Sequence, residues 1–255
     1  MDRNYQRNKT GNITGSETEH GTYVYDYDAI DQLTAVTNPV LGAEAYSYDA
    51  AGNRLESSVE GGATATPSYY EANNLNQYLS VTSETSVVSL SYDLNGNTTQ
   101  KLENGIAEIY RWDIENRLIG YSNSASGVSA EYAYDPFGRR VRKVVNGATN
   151  WFLYSDEGLV VELDETGGIT RAYGYTPNSL WMNNPLFMRV ESNYYYFLTD
   201  HLGAPQKLMA RNGQVVWEAY FESFGNAVVS SNSIVTNHLR FSAQYFGEES
   251  GLHYN

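Results

Sequence analysis

The sequence predicts an all-β fold: an antiparallel β-hairpin repeat array forming a curved or spiralling sheet. Three observations lead there. The chain carries 23 Tyr against 8 Phe, with 22 Gly and only 6 Pro. An Asp or Asn followed three positions later by Gly, Asn or Asp recurs along the chain. Between these pairs lie short runs that alternate apolar and polar residues. Tyr, Thr and Val suit a half-buried pleated surface, and Gly marks turns.

The turns come first. The register pairs Asn8 with Gly11, Asp28 with Asp31, Asp49 with Gly52, Glu71 with Asn74 and Asp93 with Gly96. It continues with Asp113/Asn116, Asp135/Gly138, Ser155/Gly158, Asp200/Gly203 and Glu222/Gly225. From Asn8 to Ser155 the steps are 20 to 22 residues. The second member is always a residue that tolerates positive φ. The first is mostly a side chain that bonds the backbone two residues on. A tight turn closed by a left-handed residue explains both columns, so Asp28, Asp49, Asp93, Asp113, Asp135 and Asp200 are predicted turn residues, as are Gly52, Gly96, Gly138, Gly203 and Gly225.

A second turn falls about half a repeat later. Asn104-Gly105, Asn146-Gly147 and Asn212-Gly213 suit type I′ hairpins, and Gly61-Gly62 and Gly167-Gly168 are weaker versions. The segments between, such as 139–145 and 214–220, alternate with period two and predict strands with one buried face. One repeat is thus two strands and two turns, and the whole chain holds about two dozen strands. A lone hairpin is marginal in water; stacked neighbours bury a shared face.

Tyr48-Asp49-Ala50-Ala51-Gly52-Asn53-Arg54-Leu55, Tyr92-Asp93-Leu94-Asn95-Gly96-Asn97 and Tyr134-Asp135-Pro136-Phe137-Gly138-Arg139-Arg140 resemble the YD repeats of rearrangement-hotspot (RHS) proteins. Tyr70 to Tyr78 resembles a variant of the same repeat. Thr199-Asp200-His201-Leu202-Gly203-Ala204-Pro205, with residues 213–220 and Phe224-Gly225, is similar to the opening of the RHS-associated core. Phe241-Ser242-Ala243-Gln244-Tyr245 and Gly251-Leu252-His253-Tyr254-Asn255 resemble its continuation. The resemblance implies a β-strand spiral forming part of a hollow shell around a toxin or effector, as in bacterial toxin complexes; related animal proteins act in adhesion. It divides the chain into YD repeats over 1–172, an irregular segment over 173–196, and the start of the associated core over 197–255, truncated at the C-terminus. The self-cleavage segment and cargo of the family lie beyond that point, so the chain is expected to be a wall segment of a larger exported protein.

Composition excludes several functions. A net charge of −14 argues against nucleic acid, whose phosphates call for clustered Lys and Arg. Zero Cys removes thiolate metal sites and disulfides. No apolar run reaches the length of a membrane span, and no signal peptide is visible at the N-terminus. His20, His201, His238 and His253 are scattered, and no nucleophile elbow or calcium nonapeptide is present. The chain is therefore predicted to be non-catalytic and to need no cofactor or metal.

The expected partner is a polypeptide cargo or the remaining shell of the parent protein, with self-association through edge strands as a further route. The alternative is a cell-surface adhesion or carbohydrate-binding module. Trp112, Trp151, Trp181 and Trp217 are its ring-stacking candidates. Within the irregular segment, Trp181, Tyr194, Tyr195 and Tyr196 are the first candidates for a specific contact.

Overall fold

A computed structural model describes residues 4–60, 65–241 and 244–255. Among them are 24 β-strands and no helix. The chain divides into two compact units, Met1–Ala107 with Phe221–Asn226, and Glu108–Tyr220 with Ala227–Asn255. In each unit the long strands form an antiparallel meander, pairing with their sequence neighbours from Asn4–Arg7 to Thr98–Glu103 and from Ile106–Trp112 to Val215–Phe221. In the first, Gly21–Tyr27 pairs with Leu33–Asn38, which pairs with Gly42–Tyr48, which pairs with Arg54–Glu60. In the second, Ser129–Tyr134, Arg140–Val145, Ala148–Ser155, Gly158–Leu163 and Ile169–Tyr175 follow one another in the same way.

The repeated turn has one geometry. Asp49 Oδ1 accepts from the backbone N–H of Ala51 and Asn53 at 2.8 Å each, the Gly52 N–H donates to Asp49 O, and Gly52 sits at φ 87°. A one-residue bulge follows at Leu55, where Tyr48 pairs with Arg54 and Ser47 with Glu56. This is a type I turn closed by a left-handed residue and a bulge. Asn8, Asp28, Asp93, Asp113, Asp135 and Asp200 accept the same pair of N–H bonds. Gly96, Gly138, Gly203 and Gly225 all have positive φ.

Three turns differ from the register. In the fourth repeat Asn73 takes the Asp role and Asn76 the left-handed slot, two residues beyond the expected Glu71/Asn74. Glu is a poor Asx-turn former because its extra methylene carries the carboxylate past the nearby N–H groups. Ser155 and Gly158 instead close a short hairpin, and Asp164 with Gly167 makes the Asp-type turn. Asn104-Gly105 and Asn146-Gly147 are both left-handed, as type I′ requires; at Asn212-Gly213 only the glycine is. Gly61-Gly62 lies outside the described residues.

The excess of Tyr over Phe has a structural cause. The Tyr before the turn sends its hydroxyl back to a carbonyl of the preceding repeat. Tyr27 donates to Ile13 O, Tyr48 to Leu33 O, Tyr92 to Tyr78 O, Tyr134 to Leu118 O and Tyr154 to Arg140 O, all at 2.7–2.8 Å. The bulge beside each turn frees a carbonyl from the ladder, and the phenol satisfies it. Phe would fill the same space and leave that acceptor unpaired.

Candidate functional site: two aromatic–arginine sockets

In each unit one sheet face carries buried charge among aromatic rings. In the first unit, Glu44 is 2% exposed and accepts the Tyr46 hydroxyl at 2.5 Å. Glu44 also accepts the Ser223 N–H at 3.0 Å, and Asn38 donates to Phe221 O. The Phe224 ring meets Tyr46 edge-on at 4.9 Å, and the Arg54 guanidinium lies 4.2 Å from the Phe224 centroid. Residues 221–226 therefore seat a turn tip in a socket of Glu, Tyr and Arg. In this turn Glu222 replaces the usual Asp, and the bond to the turn's backbone comes from Glu44 instead.

The second socket uses the same repeat positions. Tyr132 stands three residues before Asp135 and Arg140 five after it, as Tyr46 and Arg54 stand around Asp49. Arg140 is 5% exposed, and its guanidinium lies 4.5–5.5 Å from the rings of Tyr132, Phe152, Tyr245 and Tyr254. Alternation puts Tyr132, Phe152 and Tyr173 on one face while Trp151 and Leu153 stay exposed on the other.

Residues from the C-terminal end cover this socket. Tyr245 donates to Glu162 at 3.2 Å and shares a 2.8 Å bond with His238 Nδ1. Glu162 also accepts from Tyr173 at 2.6 Å and from Arg171 at 3.4 Å. Burial alone would raise the Glu162 carboxyl; the His238 contact and the Arg171 charge outweigh it and hold it well below the ordinary range. Glu249 receives Lys143 at 3.0 Å and Tyr132 at 2.9 Å. Burial opposes ionisation of Glu249 as well, and the Lys143 charge wins, so its carboxyl is lowered. Burial and the adjacent Glu249 push the Tyr132 phenol up, which keeps it a donor at every physiological pH. Beside this network lies an open cleft of about 460 Å³, lined in part by Lys143, Glu162, Arg171 and His238.

The residues expected to make specific contacts do not gather in one place. Trp181 stacks on Tyr154 at 5.6 Å, while Tyr194 packs on Phe187 at 5.5 Å. Tyr194 and Tyr196 are both 44% exposed, and Tyr195 points to the opposite face. Trp217 is core, with the Arg240 guanidinium 5.3 Å from its ring. Asp200 is occupied by its turn bonds, and no group of three His, Cys, Asp or Glu among the described residues is arranged to hold a metal. Sequence reasoning missed Glu44, Glu162 and Glu249. The available signal was an Arg at the fifth position after a turn Asp with a Tyr three before it, which occurs around Asp49 and Asp135 and not around Asp28, Asp93 or Asp113.

Meandering hairpins closed by Asp turns and stitched by Tyr hydroxyls, with a face in each unit holding later residues of the chain, define a YD-repeat wall. The chain belongs to the teneurin YD-shell family, whose model matches residues 3–252. It is 27% identical over 287 residues to double-stranded DNA deaminase toxin A of Burkholderia cenocepacia, covering 99% of this chain and 19% of that protein. Toxin protein Tse5 of Pseudomonas aeruginosa is 26% identical over 310 residues, covering 99% and 24%. Teneurin-4 of Mus musculus is 24% identical over 241 residues, covering 89% and 8%. The crystal structure of TcdB2-TccC3-Cdc42 shares the fold, with a TM-score of 0.57 at 15% identity over 99% of this chain and 15% of that one. The chain thus spans less than a quarter of the length of these relatives.

Proposed function

We propose that this chain is a non-catalytic wall segment of an exported, toxin- or effector-carrying shell, whose partner is an enclosed polypeptide or the rest of that shell. The observation that carries this reading is the occupancy of the carboxylates. Those in the repeated turns accept backbone N–H bonds, and the buried ones, Glu44, Glu162 and Glu249, are engaged by Tyr, Lys, Arg or backbone donors. Carboxylates committed to backbone and side-chain donors in this way suit a structural role. Relatives named as toxins and nucleases carry this region as a minor part of much longer chains, which fits a carrier role.

The test is protease protection. Within the full-length parent protein, the carried polypeptide is expected to be digested several-fold more slowly than the same polypeptide made free. Equal digestion rates would remove the reading. A second reading, glycan binding, rests on the exposed Tyr194 and Tyr196, which share one face of one strand. A glycan array with a signal lost on Tyr194→Ala supports it, and an array with no signal removes it.

A further inference from the structure

Residues 244–255 are held differently from the wall. Tyr245–Gly247 and Leu252–Tyr254 form a separate two-stranded sheet, with strands of three residues against six to eight in the strands beneath. Backbone bonds tie the hairpin to the segment before it, from Phe246 N–H to His238 O at 2.7 Å and from Arg240 N–H to Gln244 O at 3.0 Å, and side chains fix it to the wall at three points. Tyr245 reaches Glu162, Glu249 reaches Lys143 and Tyr132, and the Tyr254 hydroxyl accepts the Arg140 N–H at 2.9 Å and donates to Gly138 O at 3.2 Å. The Lys143–Glu249 contact is the one ion pair among these anchors, with side-chain exposures of 10% for Lys143 and 4% for Glu249.

An element with three paired positions in its own ladder opens at a lower free energy than a wall that shares one continuous ladder, even with the Tyr245 ring buried against Phe152. We propose that the hairpin 244–255 opens and closes on the wall as one unit without unfolding the strands beneath, and that the Lys143–Glu249 contact is its latch. Opening uncovers Tyr132, Arg140 and Phe152 and widens the cleft beside Glu162. Closing needs the two charges together, because either one left alone would be buried without its partner.

Hydrogen–deuterium exchange of the whole chain, read by mass spectrometry, tests this. In the wild type, peptides from 244–255 are expected to exchange together, about tenfold faster than those covering Ser129–Tyr134 and Ile169–Tyr175. Lys143→Met should speed the hairpin a further tenfold or so while the wall peptides hold their rate. Adding Glu249→Gln to Lys143→Met should restore slow exchange, since Gln still accepts the Tyr132 bond and carries no charge. Hairpin exchange at the wall's rate in the wild type would overturn the proposal. So would a Lys143→Met variant that accelerates wall and hairpin alike, which would mark the pair as general stability and not a latch.

Discussion

The two sockets are the same repeat position used with opposite polarity. At Tyr46 and Arg54 the carboxylate belongs to the wall, as Glu44, and the docked turn offers an N–H and a Phe ring. At Tyr132 and Arg140 the position two before the Tyr is Ala130, and the carboxylate arrives on the docked segment as Glu249. The degree of closure differs too: Phe224 stays 56% exposed, whereas Tyr245 is 2% exposed. A buried phenol beside an arginine calls for an anionic acceptor, and either side of the contact can supply it. The repeat thus specifies the receptor, and at the second socket a further wall carboxylate, Glu162, receives Tyr245 from the docked segment, so the degree of closure sets how firmly that segment is held.

The contrast sets an order of effects. Glu162→Ala leaves Tyr173, Tyr245 and Arg171 without their shared acceptor in a closed site, and should cost about 3–5 kcal/mol of unfolding free energy. Glu44→Ala, at the more open socket, should cost about 2 kcal/mol in the same urea titration. A reversed order would show that closure does not set the energetics.

Acid should sharpen the same difference. The folded-state pKa values of Glu162 and Glu249 are depressed, so their contribution is fully present above the ordinary Glu value and disappears as pH falls through the folded values. Through these two groups melting temperature is expected to fall below roughly pH 4, after a smaller loss below the ordinary histidine value from His253, which burial holds uncharged. Glu162→Gln should flatten that acid limb, and an unchanged limb would place the titrating groups elsewhere.

Smaller effects belong to the rungs common to both units. Tyr92→Phe and Tyr134→Phe each remove one hydroxyl-to-carbonyl bond and should each cost about 1 kcal/mol. Calorimetry giving unequal losses would mean the rung is not one device. Trp151→Ala, on the exposed face, should change stability by less than about 1 kcal/mol.

The rungs and turns were legible in sequence because they are local: an Asp side chain finds its acceptor role within four residues, and a left-handed slot admits few residue types. At the fourth repeat the turn sits at Asn73, whose side chain reaches the two N–H groups that the longer Glu71 does not. The sockets were illegible for the opposite reason. Glu249 meets Lys143, and Tyr254 meets Arg140, across more than a hundred residues, and nothing in the local pattern around either partner names the other. Tyr194 and Tyr196 stood out for composition alone, and the structure places them on an open face away from Trp181's stacking partner.

The most direct test of the socket account is a paired urea titration of Arg54→Leu and Arg140→Leu. Arg140 faces four rings in a closed site and Arg54 faces three in a more open one, so Arg140→Leu should lose about 3 kcal/mol and Arg54→Leu about 1. Equal losses, or none at Arg140, would contradict it.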